Sequence, residues 1–458
     1  KELFKGLKIE ELEKEWTEYP VFRIDFARGD YNDPQELEKI LEEHLCEWEK
    51  KYGKDENYTT LSGRFMYLLK TAHENTKYKA VVLIDEYDKP MLDVLGTGLE
   101  EKNRNILKGF YGAFKSADAH LRFVFLTGVT KFSQVSVFSG FNQPDDISMD
   151  EQFDAICGIT EKELKYYFAQ SIEEMSAKLK CSSEELKEKL KKNYDGYHFS
   201  EGMLDIYNPF SILNAFKKKK IEDYWYESGT PTYLEKLLEG YKVNMQKLTG
   251  MSYERKYFID YRADREEPLA MLYQSGYLTI KGYDSRRRVY KLDYPNDEVR
   301  KGFVSLIGNN YFHKPSEENA NWILEMDDML RECDLDGVRD AFTSFLASIP
   351  YEANKDERAK DFETHFSYTF YIINRLLGCY TTLIEKQNSK GRADIIIETD
   401  TDVFIFEFKL DTSASEALMQ IEKQQYAVPY LDDKRSVHKI GVNISSESRT
   451  VDEWLVEE

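Results

Sequence analysis

The sequence has few cysteines and histidines and no long apolar run. No apolar stretch approaches the roughly 20 residues that a membrane-spanning helix needs, and no signal peptide opens the chain. We therefore expect no membrane partner. The seven histidines are scattered, so no zinc site is expected. The cysteines lie far apart without a C-x-x-C pair, as is typical of reduced, structural thiols in a cytoplasmic protein; they are Cys46, Cys157, Cys181, Cys333 and Cys379.

Positive charge is also scarce. Lys and Arg number 63 against 84 Asp and Glu, which leaves a net charge of −21. A surface that binds nucleic acid needs Lys and Arg against the phosphates, so this balance excludes a broadly basic binding protein. Any nucleic-acid contact must be local. Arg286–Arg288 and Lys217–Lys220 are the candidates, although a charge run is more often a solvated face.

The segment Gly391–Leu410 has the pattern of an antiparallel hairpin. Two β-prone apolar runs, Ile395–Ile397 and Val403–Phe408, flank a polar stretch, and a turn centred on Asp400-Thr401 fixes the register of the strands. The phenylalanines that alternate along the second run face a core, which holds this register in place. A half-exposed hairpin whose polar residues face water has the same pattern. A shift of the turn by two residues would break the pairing that follows.

In this register Asp394 lies opposite Glu407, and strand alternation places Lys409 on the same face as Glu407. Directly opposed side chains have Cβ atoms roughly 4.5–5.5 Å apart, a distance at which two carboxylates repel each other. A cation between them removes this repulsion, and a lysine beside them can hold a phosphate or a water. The arrangement predicts a hydrolytic Mg²⁺ site.

Asp394, followed by Glu407-Phe408-Lys409, resembles the D…ExK signature of the PD-(D/E)XK nuclease superfamily. The resemblance implies that Asp394 and Glu407 bind the metal and that Lys409 orients or activates the attacking water. It also implies that Glu363 assists the metal from an upstream helix; without the resemblance, Glu363 is a solvated helix residue. Gln420 is a further candidate catalytic residue. The other elements that fit the family are Glu385, Gly391-Arg392 and Tyr426.

The N-terminal third alternates strand and helix patterns, which is typical of a parallel sheet. The apolar run Val81–Ile84 ends in the acidic segment Asp85–Asp88. After a helix predicted over Glu100–Ala119, a second run, Phe123–Leu126, ends at Thr127. Carboxylates that follow such strands lie where open α/β sheets bind ligands. We therefore expect two buried parallel strands with the acidic residues and Thr127 together at one edge.

VVLIDEYD resembles the Walker B motif of AAA-type ATPases, and FVFLTGVTKF resembles their sensor strand. This resemblance implies that Asp85 holds Mg²⁺ through water, that Glu86 polarises the attacking water and that Thr127 lies near the γ-phosphate of ATP. Two further motifs, YDGYHF at Tyr194–Phe199 and YNPFSIL at Tyr207–Leu213, extend the likeness. Together the motifs resemble AAA-ATPase-like proteins that carry a C-terminal PD-(D/E)XK domain.

No G-x-x-x-x-G-K-[ST] phosphate-binding loop, or Walker A motif, occurs in the sequence, and the nearest Gly-Lys pair, Gly53-Lys54, lacks the rest of the motif. In the family that the chain resembles, this loop and its strand precede the segment that begins here at Lys1. We expect the missing strand at the centre of the sheet, between the Val81–Ile84 strand and another neighbour. The chain is therefore interpreted as a fragment of a longer protein that binds ATP poorly as it stands.

The middle of the chain predicts a helix that ends near Gly276 and a hairpin formed by Tyr277–Lys281 and Val289–Leu292 around a turn at Asp284-Ser285. Helix and hairpin together resemble a winged-helix element. Such an element serves either as a packing and linker domain or as a DNA contact. Arg286–Arg288 at the tip of the wing are the reason to retain the DNA contact.

A length of 458 residues predicts about two to four domains, and a composition with 41% hydrophobic residues predicts a folded chain. We predict an α/β multidomain protein. An AAA-ATPase-like parallel-sheet domain without its Walker A segment covers 1–200, a helical and winged-helix-like linker covers 201–320, and a restriction-endonuclease-like α/β domain covers 321–458. The predicted function is Mg²⁺-dependent hydrolysis of DNA, coupled to the ATPase domain. The alternatives are a nucleotide-dependent switch or interaction protein with a non-cleaving nuclease fold, and a plain ATPase whose C-terminal domain reads the substrate.

The absent phosphate loop leads to a first testable prediction. We expect no measurable ATP hydrolysis by the 458-residue chain, because it lacks the amide nest and the lysine that cradle phosphates. A longer natural protein that includes the loop should hydrolyse ATP. Release of inorganic phosphate measures both. If the 458-residue chain hydrolyses ATP robustly and Glu86→Gln abolishes this activity, the interpretation as a fragment is wrong.

Overall fold

The computed structural model describes two compact units, and each is treated by itself. The first consists of Lys1–Thr160, Tyr197–Ile206 and Thr230–Asp293, and the second of Glu161–Gly196, Tyr207–Gly229 and Tyr294–Glu458. The three predicted domain boundaries stay a prediction. Among the described residues, no helix combines the length and the apolar character needed to cross a membrane. The described residues are 1–131, 144–227, 251–259, 268–303, 322, 325–326, 328–347, 382–383, 387–388, 391–392, 395–399, 401–431, 434–448 and 450–457.

Helices and strands are numbered in chain order. The helices are α1 Lys8–Leu12, α2 Glu36–Tyr52, α3 Leu61–Thr76, α4 Lys89–Leu92, α5 Gly98–Ser116, α6 Glu161–Tyr167, α7 Ala169–Leu179, α8 Ser183–Tyr194, α9 Pro209–Lys218, α10 Tyr224–Glu227, α11 Leu269–Gln274, α12 Leu335–Ala347 and α13 Ala414–Gln424. The strands are β1 Val21–Asp25, β2 Ala80–Asp85, β3 Leu121–Leu126, β4 Ile159–Thr160, β5 Ile206–Tyr207, β6 Ser252–Glu254, β7 Thr279–Asp284, β8 Val289–Asp293, β9 Thr382–Leu383, β10 Gln387–Asn388, β11 Gly391–Arg392, β12 Ile395–Glu398, β13 Asp402–Leu410, β14 Ser436–Ser445 and β15 Thr450–Glu457.

The first unit is built on a parallel sheet with the strand order β1-β2-β3. Alternate residues of β1 and β2 form one buried face. On this face the ring centroid of Phe22 lies 5.0 Å from that of Trp48 in α2 and 5.9 Å from that of Phe65 in α3. Phe65 in turn stacks on Phe110 of α5 at 4.8 Å. The apolar stripes of three amphipathic helices therefore cover this face of the sheet. The buried residues of β1 and β2 on this face are Phe22, Ile24, Val82 and Ile84.

The expectation of two parallel strands is confirmed, but β3 is not buried as predicted, because Phe123 is 53% exposed. The position expected for a missing strand was also wrong. Both edges of β2 are occupied, one by β1 and the other by β3, so no strand fits between β2 and a neighbour. Among the described strands, β3 pairs with β2 alone, and its outer edge is where a further strand could pair.

The predicted helix and hairpin of the middle segment are both present in the first unit. α11 ends at Gln274, and Gly276 follows with a left-handed φ of 83°, a conformation that glycine adopts without steric cost. β7 and β8 pair antiparallel as expected. β6 pairs with the other edge of β8, so the sheet has a third strand that the sequence pattern did not reveal.

The second unit contains a five-stranded mixed sheet with the order β15-β14-β13-β12-β9. The hairpin of β12 and β13 has the predicted register, because Ile395 pairs with Phe406 and Ile397 pairs with Phe404. β13 and β14 run parallel, and parallel neighbours need a crossover connection. α13 provides this crossover and packs on one face of the sheet, with Ile421 in a core that includes Ile405.

Local sequence explains where α13 begins. Ser413 Oγ accepts a hydrogen bond from the backbone N–H of Glu416 at 3.1 Å, and this Ser-x-x-Glu pattern is a capping-box sequence. The helix then buries Ala417, Leu418 and Ile421 at the spacing of one helical face. The cap and the apolar stripe together fix which side chains of α13 face the sheet.

The close packing of α13 on β14 depends on Gly441. A Cβ added there would collide with the carbonyl oxygen of Ala414 and lie 2.9 Å from Leu418 Cγ. Gly441→Ala should therefore lower the free energy of unfolding by about 1–3 kcal/mol, the usual cost of overpacking. Gly109→Ala in α5 is the matched control, since no atom lies within 4 Å of its added Cβ. That substitution should stabilise the protein by roughly 0.5–1 kcal/mol.

Chemical denaturation of the two variants measures these changes. An unchanged or increased stability of Gly441→Ala would contradict the close approach of α13 to β14.

Candidate functional site

Three polar side chains of the second unit meet between β13 and α13. Lys409 Nζ lies 2.8 Å from Gln420 Oε1 and 3.3 Å from Glu407 Oε1, and the Gln420 amide donates a hydrogen bond to the same Glu407 oxygen. Strand alternation puts Glu407 and Lys409 on the face of β13 that α13 covers. The sequence predicted that Glu407 and Lys409 share one face and that Gln420 is a further candidate of this site, and the structure brings the three together.

The members of this cluster differ in their exposure to solvent. Glu407 is only 1% exposed, whereas Lys409 is partly open to solvent. A buried carboxylate must be paired or hydrogen-bonded, because an isolated buried charge is very costly. Lys409 supplies the opposite charge and Gln420 a donor, so together they fix the orientation of the Glu407 carboxylate.

Several residues predicted for this site lie outside the described residues. These are Asp394, Glu363 and Glu385. The register of the neighbouring pairs is the one from which Asp394 was placed opposite Glu407, but that position stays a prediction. Tyr426, which follows α13, lies in the apolar core with 4% exposure and has a structural role.

A second polar cluster lies at the C-terminal ends of the parallel strands in the first unit. Thr127 Oγ1 donates a 2.6 Å hydrogen bond to Asp85 Oδ1, which joins the end of β3 to the end of β2. Asp25 lies beside Asp85 in register, and Arg23 lies 3.3 Å from Asp25 and 4.0 Å from Asp85. The acidic residues and Thr127 are therefore at one edge, as expected.

Glu86 directly follows this edge with an unusual backbone and a perturbed carboxyl group. Its φ of 50° is left-handed, a conformation that is uncommon for residues other than glycine. Desolvation raises the pKa of its carboxyl group, and the nearby Lys89 ammonium opposes this effect. A carboxyl group whose pKa is raised is a better proton acceptor than an ordinary carboxylate.

Asp88 is a buried residue of this region to which the sequence reasoning gave no role. It is 1% exposed, and its carboxylate accepts hydrogen bonds from the backbone N–H groups of Val129, at 3.3 Å, and Thr130. Tyr87 Oη also donates to the Thr130 carbonyl at 2.9 Å. A Cβ at Gly128 would collide with Asp88. The acidic run was the available signal, but only the fold shows that Asp88 holds the loop after β3.

Comparison with known proteins gives a consistent result for both ends of the chain. Residues 1–138 match a family model described as predicted AAA-ATPase, and residues 361–454 match one described as PD-(D/E)XK nuclease superfamily. A protein of Azotobacter chroococcum mcd 1, described as an uncharacterized protein in the vnfD 5' region, is 33% identical over 462 residues, which cover 99% of this chain and 86% of the relative. The chain belongs to this family of AAA-ATPase-like proteins with a PD-(D/E)XK domain. No solved structure matches it.

The two middle motifs of this AAA-ATPase-like protein have structural contacts. In the first motif, His198 Nδ1 lies 2.6 Å from the carbonyl oxygen of Ile280, and its Nε2 lies 2.7 Å from Asp205 Oδ1. In the second, Asn208 Oδ1 accepts from the backbone N–H of Phe210 at 2.9 Å and so caps α9. These contacts explain His198 by packing and Asn208 by capping.

The two basic segments of the protein differ in how far acidic side chains neutralise them. Three lysines of Lys217–Lys220 have partners, since Lys219 lies 2.8 Å from Glu174 while Lys218 and Lys220 lie within 4.0 Å of Glu222. Arg286–Arg288 lie exposed in the turn between β7 and β8, where Arg287 lies 3.9 Å from Asp284. The ion pairs within 4 Å therefore involve one of the three arginines at the wing tip and three of the four lysines, which leaves the wing tip less neutralised.

The buried position of Asp88 leads to a prediction on pH. Desolvation raises the pKa of its carboxyl group from 3.8 to about 6, against the opposing hydrogen bonds from Thr130 and Val129. Between pH 3.8 and about pH 6, the carboxyl group of Asp88 keeps its proton in the folded protein and releases it in the unfolded chain. The contribution of this group to stability is therefore full below about pH 4 and is lost as the pH rises through about 6.

Asp88→Asn removes this titration. The free energy of unfolding of the variant minus that of the parent should rise by about 2 kcal/mol between about pH 4 and pH 7. Denaturant titrations over this pH range, followed by tryptophan fluorescence, measure the difference. A difference that does not change with pH would contradict the role given to Asp88.

Proposed function

We propose that the protein is a Mg²⁺-dependent nuclease that hydrolyses phosphodiester bonds of DNA under the control of its ATPase-like domain. The observation that carries the proposal is the cluster of Glu407, Lys409 and Gln420 in a PD-(D/E)XK domain. Asp394 and Glu407 are proposed as the metal ligands and Lys409 as the residue that orients the attacking water. Glu363 is proposed to assist from its predicted helix.

The donor chemistry of the cluster fits magnesium. Mg²⁺ prefers oxygen ligands and keeps several waters, so two carboxylates and an amide oxygen nearby are a suitable set. When bound, the ion would acidify a water and offset negative charge on the phosphate. The fixed orientation of Glu407 favours this use, because Lys409 and Gln420 hold its carboxylate.

Lys409 has the position required of a residue that handles the nucleophile. Its ammonium lies 3.3 Å from Glu407 Oε1 and is partly open to solvent, so a water or a phosphate oxygen can approach it. An ammonium acts as a point charge that needs no fork geometry. Gln420 accepts one of its hydrogen bonds at 2.8 Å and restrains its orientation.

The proposed substrate and control depend on other parts of the chain. DNA is proposed to contact Arg286–Arg288, since the net charge of −21 leaves only local basic surfaces. Asp85, Glu86 and Thr127 are proposed to contribute to an ATP and Mg²⁺ site when a phosphate-binding loop is supplied. Location in the cytoplasm stays a prediction.

One observation favours the second candidate, an interaction protein with a non-cleaving nuclease fold. Glu407 is 1% exposed, and its carboxylate already takes part in the contacts with Lys409 and Gln420. A metal ion must compete with these contacts. The two candidates differ in metal affinity and cleavage, which one set of variants can test.

For cleavage, labelled single-stranded, duplex and branched DNA are incubated with Mg²⁺ or Mn²⁺. Asp394→Ala and Glu407→Gln should abolish metal-dependent cleavage, because each removes a charged ligand. Lys409→Ala should lower the rate at least about 100-fold while metal affinity is largely retained. Glu422→Gln and Lys423→Ala are controls at exposed positions of α13 and should cleave like the parent.

Calorimetric titration with Mg²⁺ or Mn²⁺ completes the test. If none of the three DNA forms is cut and Asp394→Ala leaves the metal affinity unchanged, the nuclease assignment fails and the interaction protein takes its place.

A further inference from the structure

Three side chains of types that bind transition metals meet in the second unit, away from the cluster on α13. The ligand atoms of Cys333, Asp402 and His438 all lie within 4.8 Å of one another. His438 Nε2 lies 3.5 Å from Cys333 Sγ and 2.7 Å from Asp402 Oδ1. Asp402 and His438 are buried, and Cys333 is partly buried.

The sheet brings these residues together and orients them. His438 of β14 pairs in register with Phe404 of β13, and the two rings stack with centroids 5.0 Å apart. Asp402 lies at the start of β13, where Thr401 Oγ1 donates to its Oδ2 at 2.6 Å. Cys333 follows the helical residues 328–331 with a left-handed φ of 56°, a position at helix ends where glycine or asparagine is usual.

We propose that Cys333, Asp402 and His438 bind one Zn²⁺ ion, with a water as the fourth ligand. Sulfur, imidazole nitrogen and carboxylate oxygen are the donors that zinc takes in tetrahedral sites. Zn–S and Zn–N bonds of about 2.3 and 2.05 Å place the two ligand atoms roughly 3.5 Å apart. The observed distance from Cys333 Sγ to His438 Nε2 is 3.5 Å.

The carboxylate needs a small adjustment. Asp402 Oδ1 lies 2.7 Å from His438 Nε2, which is a hydrogen-bond distance, whereas a shared zinc would separate these atoms by roughly 3.3 Å. Asp402 Oδ1 would have to move about 0.6 Å away from His438 Nε2, and a rotation of the Asp402 side chain provides this movement. Thiolate, carboxylate and Zn²⁺ together carry no net charge, which suits a mostly buried position.

The geometry argues against a nucleophilic relay. In a relay the acid holds one ring nitrogen of histidine while the nucleophile meets the other. Here Cys333 and Asp402 both approach Nε2 of His438. Two ligand atoms that converge on one nitrogen define a common point between all three, as a shared ion requires.

The proposed zinc site is distinct from the proposed magnesium site. Asp402 and Glu407 are five positions apart on β13 and so point to opposite faces, with roughly 16 Å between their backbones. The donor sets also differ, since the cluster on α13 offers only oxygen ligands and an ammonium. The ion would join the segment at Cys333 to the sheet, which is a stabilising role independent of cleavage.

The test measures metal content and spectra of the full chain. Protein purified without chelator should contain about one zinc per chain by mass spectrometry, and Cys333→Ser and His438→Gln should each lose it. Cys181→Ser is the matched control and should retain zinc, as should Asp394→Ala, which separates this site from the proposed nuclease site. Cobalt added to the metal-free protein should give a thiolate charge-transfer band that Cys333→Ser lacks.

Stability gives a second readout. A strong zinc chelator should lower the thermal unfolding midpoint of the parent and of Cys181→Ser but not that of Cys333→Ser. If Cys333→Ser fails to fold, Asp402→Asn and the cobalt spectrum of the parent decide the question. Parent protein that takes up neither zinc nor cobalt in stoichiometric amount, or a Cys333→Ser variant that binds zinc as tightly as the parent, overturns the proposal and leaves a hydrogen-bonded buried pair.

Discussion

The parallel pairing of β13 with β14 is the constraint on which the C-terminal half of the molecule depends. Nine consecutive residue pairs join the two strands, from Asp402 with Ser436 to Leu410 with Ile444. Parallel neighbours cannot be joined by a tight turn, so the connection must cross one face of the sheet, and α13 does so. Gly441, the partner of Glu407 in this register, lets the helix approach closely enough for Gln420 to reach that carboxylate.

The same pairing separates two polar clusters of different chemistry. Odd-numbered residues of β13 face α13, and even-numbered residues face the other side, so Glu407 and Asp402 enter different surroundings although one strand carries both. On one side a carboxylate meets an ammonium and an amide. On the other side a carboxylate meets an imidazole and a thiol. Each cluster pairs a buried carboxylate oxygen with polar groups, and the ligand atoms of the two clusters suit different cations.

In the first unit the corresponding constraint is that three parallel strands end at one edge. Each strand end there contacts its neighbour, because Thr127 donates to Asp85 and the backbone N–H of Tyr87 donates to the Thr127 carbonyl at 3.0 Å. Asp88 extends this connection into the loop that follows β3. A ligand at the edge would therefore contact strand ends that are hydrogen-bonded to one another.

The sequence predicted those features that depend on local patterns. The register of the β12–β13 hairpin follows from a short turn and strand alternation, and the run of Val81–Ile84 into Asp85 follows from a buried strand that ends in carboxylates. It failed where neighbours distant in the chain decide the outcome. Phe123 lies in an apolar run but is exposed, because no described element covers that part of β3.

Histidine spacing gave no signal of the cluster of Cys333, Asp402 and His438. The scattered histidines predicted no zinc site, since compact zinc motifs place their ligands a few residues apart, and this stays a prediction. Cys333 and His438 are 105 positions apart, and Asp402 and His438 are 36 apart. Strand pairing brings Asp402 and His438 within contact, because β14 returns beside β13 after the crossover and stacks His438 on Phe404. Ligand spacing along a chain is therefore informative for metal sites built on one turn or one helix. For a site built across parallel strands, the informative quantity is the register.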